Sequence, residues 1–262
     1  MSPLNSMTTA GQLVNSADAP TKMLQDRVAL VTGATSGIGR AIALALVGQG
    51  ARAGLIGRDA NTLENVLQLA RNDSPHSQMY SADLTREEEI RSLVADVDRD
   101  FARVDILVHC AGAISHGEHA NASVSELDAL YAANVRGPYL LTQLALPLLR
   151  VGPGQIVFVN SSSGLKARAR AGQFSATQHA MKAIADSLRD EVNADGIRVL
   201  SVFPGRTATP RTEKLFHEEG KAYRPELLMQ PEDVATMVIH AINLPRSAEV
   251  TEIAMRPLYK SY

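Results

Sequence analysis

The turn Thr32-Gly33-Ala34-Thr35-Ser36-Gly37-Ile38-Gly39 spaces its glycines as Gly-x-x-x-Gly-x-Gly. Glycine lets a backbone turn tightly and approach a phosphate, and the start of the following helix offers unpaired N–H groups to negative charge. The stretch from Gly33 through Ser36, Gly37 and Ile38 to Gly39 is therefore read as a phosphate cradle. Arg40 follows it directly, and Arg58 closes the next apolar run. A guanidinium carries a permanent charge and a fixed fork of donors that suits a phosphate dianion. The competing reading is two solvated surface arginines. Cys110 is the only cysteine, which excludes an intrachain disulfide and any CxxC motif; it reads as a small buried filler. His116 and His119 fall in a loop, where plain exposure competes with acid–base work. Arg168 and Arg170 read as solvated surface, with an anionic substrate as the alternative.

These residues sit on a rhythm of strands and helices. Apolar runs at residues 27–31, 52–56, 78–81, 106–109, 156–160, 197–203 and 250–254 read as seven strands. Helices are expected between them. Residues 61–71 place Leu63, Val66, Leu67 and Ala70 on one face. A helix from Thr85 opens with Glu87, Glu88 and Glu89, as the helix dipole favours, and one from Ser123 opens with the capping pattern Ser123-x-x-Glu126. Further helices are expected over residues 134–149, kinked or ended at Pro147, over 173–194, and over 231–243. The alternation predicts one α/β domain, a doubly wound Rossmann-type unit with a mostly parallel seven-stranded sheet. Residues 1–24 read as a loose N-terminal extension and residues 25–262 as the nucleotide-binding domain.

The motifs and their order resemble the short-chain dehydrogenase/reductase family, whose glycine motif is Thr-Gly-x-x-x-Gly-x-Gly. The resemblance runs from about Arg27 to the last strand. His109-Cys110-Ala111-Gly112 stands where the family usually has Asn-Asn-Ala-Gly. It implies that Ala111 and Gly112 line the cofactor, that Asp83 meets an adenine ring, and that Asn134 belongs to a catalytic tetrad. It also implies that Pro204, Gly205 and Thr209 hold a nicotinamide amide. Homodimers or homotetramers are implied in the same way. With Arg58 where NAD enzymes carry an acid, and Arg40 after the glycine motif, NADP(H) is the expected cofactor.

The catalytic match breaks at two positions. The family's serine corresponds to Ser161, its proton-donating tyrosine to Phe174 and its lysine to Gln178, within Phe174-Ser175-Ala176-Thr177-Gln178-His179-Ala180. Phenylalanine keeps the shape of tyrosine and loses its proton; glutamine keeps hydrogen bonding and loses the charge. Removing a general acid costs about 10²–10⁴ in rate. The expectation is an NADP(H)-binding oxidoreductase framework for a carbonyl or alcohol, with ordinary proton transfer impaired by deliberate substitution or by natural change of role. Lys182 or a loop histidine is the alternative acid. The competing functions are a non-redox enzyme (cyclisation or dehydration) and a non-catalytic nucleotide-binding protein.

Composition is compatible with all three. The 262 residues are 45% hydrophobic, enough for a sizeable core, and the net charge of −2 gives no basis for expecting nucleic acid or a membrane surface as partner. The lone cysteine and the short apolar runs place the expected chain in the cytoplasm, acting on a small molecule.

Overall fold

The computed structural model describes residues 22–259. Residues 1–21 of the expected extension lie outside the described residues. Leu24 is buried in the core, so the folded unit includes residue 24.

Seven strands form one sheet: β1 (Val28–Thr32), β2 (Arg52–Gly57), β3 (Gln78–Ser81), β4 (Ile106–His109), β5 (Gln155–Val159), β6 (Arg198–Pro204) and β7 (Glu252–Met255). Their order is β3-β2-β1-β4-β5-β6-β7, and every pairing is parallel. All five residues of β1 are buried, because helices cover both faces of the sheet and no strand face is left for polar residues. Val28 and Leu30 point into the layer of α3 (Glu87–Phe101), α5 (Gly137–Leu149) and α6 (Gly172–Val192). Ala29 and Val31 point into the layer of α1 (Gly37–Gly48), α2 (Ala60–Arg71) and α8 (Pro231–Ile242). The remaining helices are α4 (Val124–Tyr131) and α7 (Pro210–Glu218). Among the described residues no helix is long and apolar enough to cross a membrane.

Three expectations are corrected. No helix begins at Asn134: α4 runs on through a π-helical turn, Ala132–Arg136, into α5, which puts Asn134 inside a continuous helical rod. Pro147 lies inside α5 and does not end it, the helix continuing to Leu149. The last strand starts at Glu252 rather than Val250, because its partner Ser201 sets the register.

The strand order reverses between β1 and β4. In a parallel sheet, the crevice beyond the strand ends at such a point is where ligands bind.

Candidate functional site

At the end of β1 the chain enters the glycine turn. Gly33 has φ +67°, and a Cβ there would stand 2.9 Å from the Ala111 backbone nitrogen. A Cβ on Gly39 would lie 2.3 Å from the Gly33 carbonyl oxygen. The turn thus folds back on the start of α1 with no room for a side chain, leaving the first amides of α1 aimed into the crevice. Ser36 is the N-cap, and its side chain makes no capping bond. Arg40 is half-buried and Arg58 exposed; neither side chain is hydrogen-bonded or ion-paired among the described residues. Asp83 lies beyond β3, where its Oδ1 accepts from the Thr85 amide and hydroxyl. These bonds, led by the Thr85 amide and joined by the charge of Arg58, hold its carboxyl below the usual range.

Thr32 ties the turn to the end of β4. Its buried hydroxyl donates to the Val108 carbonyl and accepts from the amides of Cys110 and Ala111, both at 3.0 Å. Beyond its place in the glycine motif, nothing in the sequence marks Thr32 for this role. Asn134 secures the next residues: its Oδ1 accepts from the Ala113 amide at 2.7 Å, and its Nδ2 donates to the Ala113 carbonyl and to Thr177 Oγ1. Gly112 sits against that amide, 2.9 Å from Asn134 Oδ1 at the Cβ position.

Ser161 caps a short 3₁₀ turn, Ser162–Gly164, and its Oγ accepts from the Ser163 amide. This turn is stapled to α6, because Asn160 Nδ2 donates to the Gln178 carbonyl at 2.9 Å. Phe174 and Gln178 lie one helical turn apart on α6, and both are buried. Gln178 donates through Nε2 to Thr177 Oγ1 at 3.4 Å. Neither side chain has a titratable group.

The loop after β6 closes over the crevice. Pro204 ends β6, and the Gly205 amide donates to the Met255 carbonyl. Thr209 caps α7 by accepting from the Thr212 amide, and its Cγ2 would touch a Cβ on Gly37 at 2.9 Å. Arg211 reaches across to donate to the Gly112 carbonyl at 2.7 Å. The tip of α7 therefore rests on both the glycine turn and the β4 loop.

Residues 27–220 match the family model described as short chain dehydrogenase. The chain belongs to the short-chain dehydrogenase family. An uncharacterized oxidoreductase of Staphylococcus aureus (strain USA300) is 33% identical over 239 residues, covering 90% of this chain and 99% of the relative. Among solved structures, a variant of actinorhodin polyketide ketoreductase with NADPH is 27% identical with a TM-score of 0.82, covering 90% of this chain and 98% of its own. A short chain dehydrogenase of Shigella flexneri, complexed with NADP, is also 27% identical at TM-score 0.82, covering 89% and 98%.

In this short-chain dehydrogenase the alternative acids fare unequally. Lys182 does not serve the crevice: its Nζ is held by Asp186 at 2.8 Å and by Glu252 of β7 at 2.5 Å, which keep it charged. His109 is buried in the core, stacked on Phe158 at 4.8 Å with its Nε2 2.8 Å from Thr142 Oγ1 of α5. Burial lowers its pKa to about 3. Burial also pushes the Cys110 thiol up to about 12, which leaves it inert. His116 stands 3.9 Å from Glu219 beyond α7, and the exposed His119 ring packs over Gly172.

Proposed function

We propose that this short-chain dehydrogenase binds NADP(H) and presents a carbonyl or alcohol ligand to it at Ser161, without an efficient proton relay of its own. The observation that carries the reading is the pairing of an intact phosphate cradle with an α6 face that holds Phe174 and Gln178. The cradle fits the cofactor: glycine contacts under 3 Å leave backbone amides to meet a diphosphate. Arg40 and Arg58, whose side chains make no hydrogen bond or ion pair among the described residues, fit a 2′-phosphate. Both solved relatives with NADP or NADPH bound support the same cofactor.

When bound, NADPH supplies a hydride. The chain's own residues then polarise and orient. The Ser161 hydroxyl accepts from the Ser163 amide and keeps its proton to donate to a carbonyl oxygen. Asn134 fixes the β4 loop beside it. Phe174 provides shape with no proton, and Gln178 provides an amide with no charge to stabilise a phenolate or a developing alkoxide. Fit without proton transfer favours slow turnover or binding as the natural role. Pairing of two copies belongs to the same reading, with Val124, Tyr131 and Tyr139 exposed along α4 and α5.

NADPH binding by fluorescence, followed by NADPH oxidation over a panel of ketones and aldehydes, tests this for the chain and for Phe174→Tyr/Gln178→Lys. Both are expected to bind NADPH, and the double variant to turn over about 10²-fold faster or more. Failure of the chain to bind NADPH overturns the reading. Equal inactivity on every carbonyl removes the disabled-relay account and leaves non-redox chemistry or binding.

A further inference from the structure

Residues 165–170, between the 3₁₀ turn that Ser161 caps and α6, are exposed throughout and carry Lys166, Arg168 and Arg170. None of these cations makes a side-chain hydrogen bond or ion pair among the described residues. Some surface cations are matched, as Arg86 is with Glu88 and Glu89, Arg91 with Glu87, and Arg99 with Asp96 and Asp100, whereas Arg58, Arg224 and Arg256 also lack a side-chain partner among the described residues; residues 166–170 differ in carrying three such cations within five positions. The segment is also held in place. The Gly117 amide donates to the Arg170 carbonyl at 2.8 Å, joining it to the loop after β4. Arg170 adopts φ +66°, a conformation that side-chain-bearing residues seldom take and that marks a constrained position. The His119 ring packs over Gly172, its Nε2 2.6 Å from that residue's Cβ position, so the β4 loop also meets the start of α6. Of the carboxylates on the neighbouring elements, Glu126 is bonded by the Ser115 hydroxyl and Glu219 by Arg206 and Lys221, while the exposed Asp128 of α4 and Glu213 of α7 have no side-chain partner among the described residues. The exposed Glu118 is the remaining acid of the β4 loop.

We propose that Lys166, Arg168 and Arg170 form a subsite for an oxyanion, a carboxylate or a phosphate, carried by the ligand whose other end reaches Ser161. This rests on the reading of Ser161 as the substrate end of the crevice and adds the substrate's charge class. The cofactor's phosphates are a separate matter. Arg58 follows β2 and Lys166 follows β5, and β1 and β4 lie between those strands, which separates the strands by about 14 Å. Three unmatched cations beside one end of the crevice attract an anion there and disfavour a cationic ligand.

The test uses the full chain saturated with NADPH, and again without it, and measures dissociation constants by ligand-observed NMR. The probes are 4-oxopentanoate against its methyl ester, and dihydroxyacetone phosphate against dihydroxyacetone. At least one anion is expected to bind tenfold or more tightly than its neutral partner, with the preference shrinking in 0.5 M salt. Whichever pair shows the larger ratio identifies the oxyanion. Arg168→Gln/Arg170→Gln is expected to lose that preference while keeping NADPH affinity. Lys166→Gln/Arg168→Gln, which leaves the constrained Arg170 alone, is expected to lose part of it. Equal binding of anion and neutral partner, no detectable binding of either anion, or a full preference retained in both variants would overturn the proposal. Failure to bind NADPH would instead sink the cofactor reading, and the cofactor-free series would still decide the subsite.

Discussion

Thr32 illustrates how much one hydroxyl organises at this site. It donates once and accepts twice, and both amides it satisfies belong to the β4 loop. Thr32→Val keeps the volume and leaves two backbone N–H groups unpaired at a buried position. The expected loss is about 2–4 kcal/mol, read as a fall in urea midpoint with an unchanged slope. NADPH affinity should weaken in the same variant, because Ala111 lies directly against Gly33. Under the proposed function, Phe174 and Gln178 bear on chemistry rather than on stability. Phe174→Tyr alone restores a proton donor without the charge that lowers its pKa. Its rate should rise less than that of the double variant, with the gap widest near neutral pH and closing toward pH 10. A pH–rate profile of the two variants distinguishes this from a merely structural gain.

At the scale of elements, contacts between loops assemble the crevice. Asn134 joins the π-helical turn to the β4 loop and, through Thr177, to α6. Asn134→Ala removes all three bonds, leaving the Ala113 groups and Thr177 to find water. A cost of about 2–4 kcal/mol is expected, with faster amide exchange at Ala113. Gly39→Ala should be harsher, because its Cβ would meet the Gly33 carbonyl backbone at 2.3 Å and neither segment can yield without moving α1. NADPH binding should be lost before the fold is. Arg211→Ala has the opposite character. It cuts the one side-chain bond from α7 to the Gly112 carbonyl among the described residues, and is expected to speed exchange across residues 210–218 while leaving the melting temperature almost unchanged.

For the molecule as a whole, the buried His109 sets a pH dependence. Free histidine titrates near 6.5, whereas burial holds His109 neutral down to about 3. The unfolded chain therefore takes up a proton that the folded chain refuses. The neutral form's contribution is complete above pH 6.5 and is lost progressively as the pH falls toward 3. Between pH 7 and pH 5 this amounts to about 2 kcal/mol of lost stability. His109→Asn should flatten that part of the urea-midpoint profile, whatever its effect on stability at pH 7. Asp105 acts at lower pH. Burial opposes its charge, but the Val28 amide, Arg103 and Arg27 outweigh burial and keep its carboxyl below the usual range. Its contribution is present above about pH 4 and fades as the carboxyl protonates.

The alternation of apolar runs with amphipathic segments determined the seven strands and their helices, because covering both faces of a parallel sheet demands continuous burial and leaves a local record. The glycine spacing was equally legible, since contacts at 2.3–2.9 Å admit no other residue type and write themselves into one short stretch. That residues 174 and 178 carry neither an acidic proton nor a charge was visible for the same local reason: both are properties of the side-chain type. Partnership was not legible. That Lys182 is claimed by Glu252, 70 residues away, that His109 faces Thr142 and Phe158, and that Asn134 lies within a π-helical turn were decided by tertiary contacts. The freedom of Arg168 and Arg170 belongs with these. A side chain's charge is a property of its residue type, whereas the presence of an opposite charge within reach depends on segments that only folding brings together.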